Sequence, residues 1–232
     1  RKAIDQIPMS GLYSYMPNLR LRKTENIVFI WVPKNSGSAV FAELNSKLGM
    51  QKIHRPNRFK NFPNHGCVTP GHVSYEALVK NNLVSDFYND SSYKFAISRN
   101  PYTRAVSLFN YLSRLGWFKG TFYDFLLKVD QGVPEPGLYN HRGLSIASPQ
   151  SSWIFNKSGE SLADDIFRHE EIEEMARSLS VRFQTEISFT GIINKSKTIL
   201  SVEDLMSDRG ALALVNKIYA LDFENFGYEM VS

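Results

Sequence analysis

The sequence predicts an α/β domain built on a central, mostly parallel sheet with helices on both sides, and three observations carry that prediction. An apolar run, residues 27–32, leads through a loop of small residues into a helix-like segment at 39–48. A second strand-like run, 94–98, leads through a short turn into another helix. Strand, turn and helix in that order, used twice, is the pattern of a parallel sheet whose turns lie at the carboxyl ends of strands, where such sheets bind ligands. The third observation is size and balance: 232 residues, 43% hydrophobic and 22% charged, suffice for one α/β unit with a sizeable core.

The remaining elements follow in chain order. Residues 1–25 are mixed, with Pro8, Gly11 and Pro17, and read as an extended lead-in to a single domain over 26–232. Residues 51–71 are rich in Asn, Pro, His and basic side chains and read as loop. So does 131–150, which carries three prolines, Pro134, Pro136 and Pro149, and the stretch Asn140-His141-Arg142-Gly143. Long irregular stretches of this kind are often functional. Residues 161–179 read as a helix, acidic at its start (Asp164, Asp165, Glu170, Glu171) and with Arg177 near its end, matching the macrodipole. A last helix over 211–221 would pack Leu212, Val215 and Tyr219.

The two turns carry the chemistry. The first is Val32-Pro33-Lys34-Asn35-Ser36-Gly37-Ser38. A strand entering a helix through small residues presents backbone N–H groups and a helix N-terminus to an anion. The amides of residues 35 to 39 would hold it, with the Lys34 ammonium reaching over. Lys34 precedes Gly37, so the spacing of a nucleotide triphosphatase loop is absent. No second aspartate motif for magnesium stands out, and no metal is expected. The second turn is Arg99-Asn100-Pro101-Tyr102-Thr103-Arg104-Ala105-Val106-Ser107. Asn100 suits the N-cap and Pro101 the first helical position. Arg104, Ser107 and Tyr111 then share a face, and Arg99 can converge with the Ser107 hydroxyl on one phosphate.

Together the two turns resemble the cofactor loops of the sulfotransferase superfamily. The first is similar to the Pro-Lys-x-x-Gly/Ser-Thr/Ser loop that holds a 5′-phosphosulfate. The second is similar to the Arg-x-Pro-x-x-Arg-x-x-Ser segment that holds a 3′-phosphate. Later stretches, 148–154, 194–197 and 218–228, resemble the branch that sulfates carbohydrates. The family pair of hydroxyl residues is reduced here to Ser38 followed by Ala39, which implies one lost side-chain contact.

The resemblance implies a P-loop-like three-layer fold and the donor 3′-phosphoadenosine 5′-phosphosulfate. Lys34, Asn35, Ser36, Gly37, Ser38 and Ala39 would hold its 5′ end, Arg99 and Ser107 its 3′-phosphate. Lys195 and Lys197 would close over the phosphates. The implied acceptor is a hydroxyl, expected on a glycan, contacted by His141, Arg142 and Gln150. A histidine is the natural proton acceptor because its pKa lies near working pH. His72, in Pro70-Gly71-His72-Val73-Ser74, is the first choice and resembles the Gly-His segment that carries the base in uronyl 2-O-sulfotransferases. His141 is the second choice, while His54, His65 and His169 read as surface or loop residues. Glu76 would orient His72, and Arg168 would hold the acidic helix. Two other classes stay open: a nucleotide kinase-like phosphotransferase, and a nucleotide- or glycan-binding module without turnover.

The net charge of +4 suits anionic ligands and does not read as a nucleic-acid surface. No apolar run approaches the ~20 residues of a membrane span. Cys67 is the single cysteine, so no internal disulfide forms. That favours a reducing, bacterial-type cytoplasm, with a Golgi lumen the alternative had an amino-terminal anchor been removed.

Overall fold

The computed structural model describes residues 26–53, 66–133, 144–189 and 199–232, and the backbone of 139–141. In chain order it contains β1 (Asn26–Ile30), α1 (Gly37–Leu48), β2 (Gln51–Lys52), β3 (Cys67–Thr69), α2 (Tyr75–Lys80), α3 (Asp86–Ser91), β4 (Ser92–Ser98), α4 (Pro101–Arg114) and α5 (Phe122–Asp130). There follow β5 (Tyr139–His141), β6 (Leu144–Ser145), α6 (Ser151–Ile154), β7 (Asp165–Arg168), a 3-10 turn (His169–Glu171), α7 (Ile172–Phe183), α8 (Val202–Ser207), α9 (Arg209–Ile218) and α10 (Ala220–Phe226). Five strands lie side by side in the order β2-β3-β1-β4-β7, every pairing parallel. β5 and β6 form a separate antiparallel ribbon.

β1 is apolar almost throughout because both of its faces are covered. Ile27, Phe29 and Trp31 point to one side, where Val40 and Leu44 of α1 and Met175 and Leu179 of α7 pack on them. Val28, Ile30 and Val32 point to the other, against Val68, Ala96, Tyr75, Leu78 and Trp153. That alternation is the period-two geometry of a strand between two helix layers. The result is the P-loop-like, three-layer α/β architecture. A third cluster, centred on Phe109, Phe125, Leu205 and Val215, joins α4 and α5 to α8 and α9.

Four expectations change. Residues 161–179 are not one helix: their first part is the edge strand β7, then the 3-10 turn, and the helix runs on to Phe183. Long-range partners decide this. The Asp164 carboxylate accepts from Lys94 N at 2.7 Å, and Tyr93 Oη donates to Asp165 at 2.7 Å. Arg168 does not hold an acidic helix, because its guanidinium donates to the carbonyls of Phe226 and Gly227. Residues 51–71 contain β2 and β3, too short to show periodicity. The final helical stretch is two helices, α9 and α10, with Leu212, Val215 and Tyr219 buried as expected. No described helix is long and apolar enough to cross a membrane.

Candidate active site at the carboxyl edge of the sheet

Parallel pairing puts the carboxyl ends of all five strands on one edge. From neighbouring strands β3, β1, β4 and β7 the chain delivers His72, Lys34, Arg99 and His169 in that order, and β2 ends on Lys52. The chain leaves β1 towards β3 and leaves β4 towards β7. The space between them is therefore the switch point where an open α/β sheet receives ligands.

The first turn is held in a shape its residues do not prefer. Lys34 and Ser36 have φ of 70° and 59°, left-handed values that cost a non-glycine residue on the order of 1–2 kcal/mol. Four side chains fix them. Arg104 Nε donates to Pro33 O at 3.1 Å and Arg99 Nη1 to Lys34 O at 3.0 Å. Asn35 Nδ2 donates to Ile97 O and to Gln150 Oε1, and Ser36 Oγ lies 2.9 Å from His169 Nδ1. The amides of Asn35, Ser36, Gly37 and Ser38 bond no described residue, so four N–H groups at the mouth of α1 stand open. The Ala39 amide, expected among them, donates to Ser36 O at 3.0 Å. Gly37 admits no side chain: a Cβ there would lie 1.9 Å from Trp31 Nε1.

The second turn forms as its sequence predicts. Asn100 Oδ1 accepts from the amides of Tyr102 and Thr103, and Pro101 opens α4. The open face of that helix is Thr103, Ser107 and Tyr111, spaced four residues apart, whereas Arg104 turns inward and is 1% exposed. Arg99 Nε donates to Thr103 Oγ1 at 3.0 Å, and the Lys34 ammonium stands 4.2 Å from the centre of the Tyr111 ring. Ser107 lies one turn from each cation's anchor. Its hydroxyl bonds no described residue.

Positive charge here is not neutralised. Neither Lys34 nor Arg99 makes a salt bridge with a described residue. Burial, then the nearby guanidinium groups of Arg99 and Arg114, lowers Lys34 to about 8. Burial also lowers Arg99, which Glu170 partly offsets. Cations without a salt-bridge partner beside open amides are features that favour an anion.

His72 stands on the β3 side of the Lys34 turn. Burial lowers it to about 4, Lys52 adds to that, and a hydrogen bond to the Trp31 backbone opposes it. The ring is neutral near pH 7, and its Nδ1 is buried without a partner. Its edge meets Trp31 at 5.1 Å, while the Lys52 ammonium lies 4.1 Å from the same indole. Glu76 does not orient the imidazole: its carboxylate accepts from Lys80 Nζ and Lys157 N.

Gln150 is fully buried rather than facing a cleft. Its Oε1 accepts from Arg99 N and its Nε2 donates to Arg99 O, both at 2.8 Å, so with Asn35 it ties the two turns together. Asp222 fixes Gln150 in turn, accepting from Gln150 N and Ser151 N at 2.8 Å. No local motif announced the tying role of Gln150, which was expected at the acceptor, or Asp222, or the inward role of Arg104. His169, read as a surface residue, is part of the edge. Arg142, Lys195, Lys197 and the side chain of His141 lie outside the described residues, as do His54 and His65.

No protein-family model matches the chain, and no curated protein matches it. Among solved structures the chain is similar to a sulfotransferase from Alicyclobacillus acidocaldarius, with a TM-score of 0.52 over 86% of this chain and 93% of that one. The two share 10% identical residues, so the likeness is one of fold.

Proposed function

We propose that the chain transfers a sulfuryl group from 3′-phosphoadenosine 5′-phosphosulfate to an acceptor hydroxyl, with a glycan as the acceptor class. One observation carries the reading. The amides of residues 35–38 bond no described residue, Arg99 Nη1 donates to the carbonyl of Lys34 in that same turn at 3.0 Å, and the Lys34 ammonium lies 4.2 Å from the ring of Tyr111, one helical turn from Ser107. The fold shared with a sulfotransferase supports it.

The donor brings a sulfuryl group already activated on a phosphate. In this reading the amides of Asn35, Ser36, Gly37 and Ser38 hold the 5′-phosphate, and Arg99 and Ser107 hold the 3′-phosphate. Asn35 serves through its amide, since its side chain is committed inward. Lys34 leaves the Tyr111 ring for the oxygen that gathers negative charge as the sulfur–oxygen bond to the phosphate breaks. The His72 imidazole takes the proton of the acceptor hydroxyl while that oxygen bonds to sulfur. Its neutral form at pH 7 suits that role. Lys195 and Lys197 would close over the phosphates, and His141 and Arg142 would contact the sugar.

The test is transfer of labelled sulfate from the donor to a panel of glycans. Lys34→Ala and His72→Ala should each lower kcat by roughly a hundredfold or more. Equal turnover by all three proteins would remove both roles, and no transfer to any glycan would remove the acceptor class.

A further inference from the structure

The helix beneath the open amides begins without the cap its sequence offers. Ser36 occupies the N-cap of α1, yet its side chain bonds no amide of that helix. A capping serine ordinarily has extended backbone and folds its oxygen onto an amide two or three residues on. Ser74, Ser85 and Ser201 do so in this same protein: each is extended and accepts from the third amide onward, that of Ala77, Tyr88 and Asp204. Ser36 departs from all three in both respects. Its backbone is left-handed, φ 59° and ψ 14°, and its hydroxyl pairs with His169 Nδ1 at 2.9 Å.

The difference in ψ decides where the next amide points. In the three capped helices the N-cap ψ is 116°, 150° and 170°. Turning Ser36 to such a value would swing the Gly37 N–H away from its neighbours and bring Oγ over the amides that follow. We propose that His169 is a positioning residue that keeps the anion cradle open by latching Ser36 in its left-handed form, off its own helix. The latch crosses the sheet edge, from the end of β7 to the turn after β1, and joins residues 133 apart in sequence. The proposal rests on the donor reading above only in taking the anion to be a donor phosphate.

Two probes, adenosine 3′,5′-bisphosphate and inorganic pyrophosphate, are titrated calorimetrically into four variants and the wild type. His169→Ala should weaken binding about five- to tenfold, the worth of one hydrogen bond. His169→Asn, which restores a polar group near Nδ1, should recover most of it. Ser36→Gly, free to adopt a positive φ without the latch and keeping the backbone amide, sets the reference affinity for a double-mutant cycle. In the Ser36→Gly background, His169→Ala should then have no effect, because there is nothing left to hold. A histidine that merely supports the fold, or touches the phosphate itself, would still cost affinity in that background, and that result overturns the proposal.

Were the wild type to bind pyrophosphate without favouring the bisphosphate, the donor reading would fall while the same cycle still judged the latch. Were it to bind neither, the Ser36 Cα and Cβ chemical shifts decide. They should move from left-handed to extended values in His169→Ala, and unchanged shifts overturn the latch.

Discussion

At the scale of single residues, two groups displaced in the same direction set a pH window. Lys34, lowered to about 8 by burial and by Arg99 and Arg114, keeps its charge only below that pH. His72, lowered to about 4 chiefly by burial, stays neutral above that pH. kcat/KM, which reports the free enzyme, should therefore be bell-shaped with limbs near 4 and 8. A bound anion beside Lys34 favours its charged form, so the alkaline limb of kcat should lie higher than that of kcat/KM. Stability follows its own sign. Between about 4 and the ordinary histidine value of 6.5 the unfolded chain binds the proton that folded His72 refuses, so stability falls as pH falls through that range. pH–rate profiles at low and saturating donor check this. An acid limb near 6.5, or coincident alkaline limbs, would contradict the assignment.

At the scale of elements, the tightest constraint is the start of α1 against the end of β1. Gly37 fits only because the Trp31 indole fills the place of a Cβ. That indole also meets His72, Phe41 and Lys52. Gly37→Ala must therefore push aside the ring on which both the cradle and the imidazole depend. The expected loss is about 1–3 kcal/mol of stability, with donor affinity down tenfold or more. Thermal unfolding and calorimetry measure the two, and an alanine variant with native stability and affinity would refute the packing argument.

Elements also show where the sequence was legible. The cap of α4 was, because Asn100 and Pro101 act on their own helix within three residues. The turn after β1 was, because an apolar strand and small residues are local signals. β7 was not: four residues become a strand only by pairing with β4, and their acidic flank imitates a helix start. Arg104 was assigned to the wrong side for a similar reason. Spacing puts it near Ser107, but the carbonyls that draw it inward, of Pro33 and Ile146, come from distant loops.

At the scale of the whole molecule, the site depends on a buried polar scaffold that no single segment contains. Asp222 from α10 holds Gln150, Gln150 holds Arg99 and Asn35, and Arg104 holds Pro33. Asp222 and Gln150 are both fully buried. Buried polar groups are costly unless satisfied; the network bonds its members to one another, Asn35 Oδ1 excepted, and so fixes two turns that lie on different strands. Lys34 and Arg99 are thereby set side by side, Arg99 Nη1 donating to Lys34 O at 3.0 Å, though 65 residues apart in sequence.

That juxtaposition is the centre of the account, and a calorimetric comparison of adenosine 3′,5′-bisphosphate with ATP and adenosine 5′-monophosphate tests it most directly. The bisphosphate should bind at least about tenfold more tightly than either, the added phosphate gaining charge-assisted bonds to Arg99, and Arg99→Met should abolish the preference. ATP binding as tightly as the bisphosphate, with affinity indifferent to the 3′-phosphate and to Arg99, would contradict it.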